Sequence, residues 1–199
     1  LKQMIKTKRD QKKVITDVEP VSVLDLYINE LKNTPTGRND AHRYHLLASR
    51  IFFEIFNDQI NKPVIENEIN ESRGRIDIVY RNKNKEGAFK NLKDLRDIKC
   101  PEIMVECKNY ENDLTNNEYA QLSERLIPAR GMLGFLLCRD KKDKEKVIKH
   151  CRDRQKGGSN KFIVVLDDND LIKLAEYKNN ENIDSINNFI EDFIKKIID

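Results

Sequence analysis

Two short runs set charge inside strand-forming sequence. In Arg75-Ile76-Asp77-Ile78-Val79-Tyr80 an acid interrupts an apolar stretch, and in Ile103-Met104-Val105-Glu106-Cys107-Lys108 an acid and a lysine end one. Strand side chains alternate, so Glu106 and Lys108 share a face and Cys107 turns away. If the two strands pair, Asp77 and Glu106 meet at one end of a sheet beside Lys108. Crowding two carboxylates and an ammonium is costly unless something compensates. A divalent cation would do so. Mg²⁺ takes oxygen ligands and keeps waters, so Asp77, Glu106 and the backbone carbonyl of Cys107 would suffice. Lys108 would then orient or deprotonate a water, or offset charge on a phosphate. The bland alternative is a half-buried salt-bridge cluster.

The elements that must position these residues follow from periodicity. Residues 21–31 read as a short helix, broken by Asn33-Thr34-Pro35-Thr36-Gly37. Asn39 or Asp40 caps a mostly buried helix running to about residue 58. Residues 64–69 and 75–80 read as hairpin strands about a Ser72-Arg73-Gly74 turn. An insertion with a short helix near 89–98 precedes a third strand, 103–108. Thr115-Asn116-Asn117-Glu118 is a capping box opening a helix over 116–127. The apolar runs 132–138 and 162–166 predict central strands, separated by a charged helix over 141–154. Helices at 170–177 and 183–198 close the chain. The last has an apolar stripe that serves as core or as a dimer surface. The expected fold class is α/β, a mixed central sheet flanked by helices. Residues 1–38 read as a basic N-terminal extension with a short helix, and 39–199 as the main domain.

With that frame, Asp77, a gap of 28 residues, then Glu106-Cys107-Lys108 on an apolar strand resembles the PD-(D/E)xK nuclease superfamily, over roughly residues 40–168. Val105-Glu106-Cys107-Lys108-Asn109-Tyr110 is most similar to its Mrr-like, restriction-like branch. The proline of the family name is absent: Ile76 stands there. The resemblance implies a restriction-endonuclease-like αβββαβ core with extra N- and C-terminal helices. It implies hydrolysis of DNA phosphodiesters with Mg²⁺ or Mn²⁺, in a restriction or phage-defence setting. It assigns catalysis to Asp77, Glu106 and Lys108. It also points to a glutamate on the preceding helix, where Glu54 is the candidate metal ligand, and to a glutamine on the following helix, where Gln121 fits with Arg125 one turn later. Against these stand an Arg50–Glu54 surface pair and a polar stripe opposite Leu122 and Leu126. Glu66 and Glu68 are rivals for lining the site.

Composition bounds the rest. The chain has 199 residues, 36% charged and 38% hydrophobic, with net charge +3. No apolar run is long enough to span a bilayer, and the basic start is no secretory signal, so the expected location is cytoplasmic. Opening on Leu1 rather than Met is expected of a trimmed or partial chain. Residues 2–13 carry six cations and one acid, and residues 139–156 nine cations and four acids. The second run would grip backbone phosphates or form a solvated helix with internal charge pairs. The widely spaced Cys100, Cys107, Cys138 and Cys151 read as reduced thiols. His42 and His45 lack a partner acid in sequence and read as helix cover. His150-Cys151 lacks a third catalytic member, and Gly157-Gly158-Ser159 lacks the lysine of a phosphate loop. No helix-turn-helix or zinc finger is visible. The expected partner is nucleic acid, DNA first, with a homodimer or partner subunit supplying specificity. The competing reading is a catalytically silent module that binds nucleic acid or a protein.

Overall fold

The computed structural model describes residues 21–66, 77–156 and 159–199; for 64–66 and 77 it gives backbone pairing alone. The order is α1 (Val23–Lys32), α2 (Ala41–Phe56), β1 (Val64–Glu66), β2 (Asp77–Arg81), α3 (Ala88–Arg96), β3 (Glu102–Lys108), α4 (Asn116–Arg125), β4 (Leu133–Cys138), α5 (Lys144–Gln155), β5 (Phe162–Asp167), α6 (Asp168–Asn179) and α7 (Ile183–Ile198). The predicted turn at 72–74, Glu68 and residues 1–20 lie outside the described residues.

The five strands form one mixed sheet in the order β1-β2-β3-β4-β5. β1, β2 and β3 run antiparallel, whereas β3, β4 and β5 run parallel. β3 is thus the strand where the sheet changes sense. The helices β4–α5–β5 and β3–α4–β4 are the crossovers that parallel pairing requires. β5, expected to be central, ends the sheet order. All six of its residues are nevertheless buried, because α5, α6 and α7 pack on it. Helical cover of both faces gives an edge strand the composition of a central one.

α2 carries the core. Leu47, Ala48, Ile51, Phe52, Ile55 and Phe56 are buried along it at helical spacing. Phe52 meets Phe135 of β4 at 4.9 Å between ring centroids and Tyr80 of β2 at 5.3 Å. The Tyr80 hydroxyl donates to the Ser49 carbonyl at 2.8 Å, so this buried phenol is satisfied. Each buried Phe contributes about 2 kcal/mol of transfer free energy. Leu24, Ile28 and Leu31 join α1, from the expected extension, to the same core. On the opposite face Gly134 of β4 lets α4 come close: a Cβ there would sit 3.0 Å from the Leu122 side chain. Among the described residues no helix is long and apolar enough to cross a membrane.

Candidate active site

β3 delivers two of the predicted residues to one place. Its register sets Met104 beside Gly134, Glu106 beside Leu136 and Lys108 beside Cys138. Met104, Glu106 and Lys108 therefore share the face covered by α4. The Cys107 thiol turns the other way, 3.9 Å from the His45 carbonyl of α2. On the other side of β3, Ile78 stands across from Val105 in antiparallel register. One step further along that ladder the backbone of Asp77 is across from Glu106. Glu66 of β1 is paired with Asp77 in turn.

Lys108 and Glu106 form an ion pair, Nζ to Oε1 at 2.5 Å, with side chains 11% and 9% exposed. The other carboxylate oxygen, Oε2, is buried and has no hydrogen-bond partner. Half of a buried carboxylate is left unsatisfied, a costly state that a ligand relieves. A free carboxylate oxygen, with a second carboxylate at the facing strand position, fits a hard divalent cation. Among the described residues no three His, Cys, Asp or Glu side chains converge. The Asp77 side chain is outside that set.

Gln121 lies on α4, above this face. Tyr119 of α4 stacks on His150 of α5 at 4.9 Å, and the Ser123 carbonyl takes a 2.8 Å bond from Lys161. Those contacts turn one flank of α4 toward α5 and β5. At 100° per residue, Gln121 and Arg125 occupy the flank toward β3 and β2. Glu118 is buried in the capping box, accepting from the Thr115 amide and hydroxyl at 2.8 and 2.7 Å.

Glu54 is not brought to this place. It accepts a 3.2 Å bond from Asn57 at the far end of α2. Nine residues separate it from His45, about 13 Å along a helix. The residue of α2 at the site end is His45. Its Nε2 is buried without a partner. Burial, helped by His42 and opposed by Glu106, pushes its pKa down to about 4. A neutral imidazole on the α2 face of the sheet thus stands within electrostatic reach of Glu106 and Lys108 on the other. In sequence His45 has no partner acid or Cys pattern; only the fold brings it near Glu106.

Two further residues escaped the sequence reading. Asn109 follows Lys108 and donates through Nδ2 to the Pro35 and Gly37 carbonyls at 3.0 and 2.8 Å, while the Gly37 amide donates back to the Asn109 carbonyl at 3.0 Å. Gly37 has φ +106°, which favours glycine. Arg139, just past β4, donates to the Thr34 carbonyl at 2.8 Å, pairs with Asp168 at 3.2 Å and lies 5.0 Å from the Tyr44 ring centroid. The Tyr44 hydroxyl donates to Asp168 at 3.1 Å. Together they fix the connection between α1 and α2 against the carboxyl ends of β3, β4 and β5. Polar residues at strand exits were the available signal.

A cleft of about 570 Å³ opens beside this end of β3, lined by Arg38, Ala41, Asn109, Tyr110 and Asp113. A cavity of similar size, about 550 Å³, lies at the opposite end of the sheet among Asn82, Lys93, Cys100 and Pro101. Its Cys100 thiol is pushed up to about 11 by burial, so it offers no nucleophile. Cys151 is likewise pushed up to about 12. No protein-family profile, curated protein or solved structure matches the chain.

Proposed function

We propose that the chain is a metal-dependent endonuclease that hydrolyses DNA phosphodiester bonds on a restriction-endonuclease-like core. The observation that carries this reading is Glu106 Oε2, buried and bonded to nothing, next to the Lys108 ammonium. The order α2, β1, β2, β3, α4, β4 supports it, with α3 inserted before β3. Asp77 and Glu106 would hold Mg²⁺ or Mn²⁺, with the Cys107 carbonyl as a further oxygen. Such a cation supplies positive charge beside the phosphate as the in-line displacement develops.

The chain's own residues do the rest. The Glu106 carboxylate fixes where the Lys108 ammonium points. That ammonium donates a hydrogen bond to a phosphate oxygen, while the attacking water bonds phosphorus and gives its proton to solvent as the 3′ oxygen leaves. Gln121 approaches from the α4 flank and orients the same water. Arg38, on the lip of the cleft, and the cations of α5 hold backbone phosphates, which gives affinity without sequence readout.

The test is cleavage of plasmid and single-stranded DNA with Mg²⁺, Mn²⁺ or EDTA. Metal-dependent cutting by wild type, lost in Lys108→Ala and Asp77→Asn with circular dichroism unchanged, is the expected result. Cutting that survives both substitutions would place the chemistry elsewhere. DNA bound but never cut, with any metal, would favour the silent module.

A further inference from the structure

A second concave site lies away from Glu106, between α5, α6 and α7. Its volume is about 390 Å³, within the range of small-ligand cavities and too small for a duplex or a folded protein. Lys141, Lys144, Lys173 and Lys196 ring it, and Phe189 and Phe193 are among the residues of its floor. The acid in its lining is Asp170. That carboxylate is already engaged by Lys141 and by the Asp167 amide. No ion pair engages Lys144, Lys173 or Lys196 among the described residues. An adjoining groove adds Arg152 and one acid, Glu145. The guanidinium of Arg152 is held by the Lys196 carbonyl at 2.8 and 3.1 Å. Cationic excess therefore persists at the rim.

The floor has its own chemistry. Lys173 Nζ lies 5.9 Å from the Phe189 ring centroid and 5.7 Å from that of Tyr177. Phe189 is half-buried, so part of its ring faces the cavity. Its apolar surface meets a flat ring, and the ammoniums meet phosphate oxygens. The site also stands where open α/β sheets take ligands, outside the carboxyl ends of their strands. Lys141 follows β4 and Asp170 follows β5. The row Lys108, Cys138, Asp167 runs along that edge.

We infer that this cavity is a nucleotide site, in which Lys144, Lys173 and Lys196 take the phosphate and Phe189 packs the base. The chemistry is shared by a free nucleotide and by one nucleotide unit of a single strand. The site does not depend on cleavage at Glu106, and its occupancy is read directly.

The test is calorimetric titration of the full chain with dAMP, ATP, inorganic pyrophosphate, adenosine and a six-nucleotide single strand. Wild type is compared with Lys173→Glu, Lys196→Glu, Lys173→Gln and Phe189→Ala. Nucleotide binding weakened about tenfold by each charge reversal, less by Lys173→Gln, is expected. Adenosine should not bind, and Phe189→Ala should weaken dAMP more than pyrophosphate. Binding of the strand but not of free nucleotides assigns the site to the strand, and the converse to a free ligand. No binding of nucleotide or strand, or binding indifferent to both lysine reversals, overturns the inference. Pyrophosphate binding as tight as ATP and indifferent to Phe189→Ala also overturns it, leaving an inorganic-anion patch.

Discussion

Lys108 holds Glu106 by one carboxylate oxygen at 2.5 Å and leaves the other, buried, with no partner. Leaving a buried carboxylate oxygen without a donor costs stability. The Glu106 carboxylate is satisfied at the oxygen that meets the ammonium and open at the other, on a strand whose neighbour carries Asp77 at the facing backbone position.

Lys108→Met leaves the Glu106 charge buried and uncompensated. Urea unfolding at pH 7 should show a loss of about 3 kcal/mol. Adding Glu106→Gln to that variant should recover most of it, because the charge is gone. A double variant as unstable as the single one would mean that Lys108 contributes by packing.

Divalent cations should raise the thermal midpoint of wild type and not of Glu106→Gln. At 100 times Kd the gain is about 2.7 kcal/mol. EDTA should return wild type to its metal-free midpoint. His45→Ala should leave the difference between Mn²⁺ and Mg²⁺ unchanged, because α2 covers the face of β3 opposite Glu106. A narrowed difference would put the imidazole, which favours the transition metal, in the coordination sphere.

Burial of Asp168 sets the sign of a pH dependence. Burial pushes its carboxyl up from 3.8 to about 6, against Arg139 and the Tyr44 hydroxyl. The folded chain therefore takes up this proton before the unfolded chain does. The group adds stability as pH falls from about 6 to about 4, and that contribution is lost as pH rises through 6. Asp168→Asn should flatten the stability profile over this window by up to about 3 kcal/mol. Parallel profiles for the two proteins would show that the carboxyl titrates normally.

Asn109→Ala removes two hydrogen bonds to the 35–37 loop and strands their carbonyls. A cost of about 2 kcal/mol is expected. Cleavage should suffer mainly through KM, because Arg38 is displaced while Glu106 and Lys108 keep their strand. A loss confined to kcat would mean that Asn109 touches the reacting groups.

Much of the fold was legible because local signals agreed with burial. The Thr115–Glu118 capping box, the wholly apolar run of β4 and the stripe of α7 each specify one element, and each is found. The end-to-end placement of Glu54 was not legible. Helical periodicity tells which face a residue takes, not which end of the sheet that part of the helix will reach. Asn109 and Arg139 were illegible for a related reason. Their partners, Pro35, Gly37, Thr34 and Asp168, are close only once the sheet has formed. β5 reads as central because burial by three helices leaves the same apolar pattern as burial between strands.

The clamp at the carboxyl edge also bears on when the site is assembled during synthesis. Arg139 reaches back 105 residues to Thr34, and Tyr44 reaches forward 124 residues to Asp168. A nascent chain that has emerged only through β3 already displays Glu106 and Lys108, but nothing yet anchors the lip of the cleft. Domains fold as units as the ribosome releases them, and here the unit is incomplete until α6 is out. A chain stopped before α6 would therefore carry Glu106 and Lys108 beside a cleft whose lip has lost its anchor.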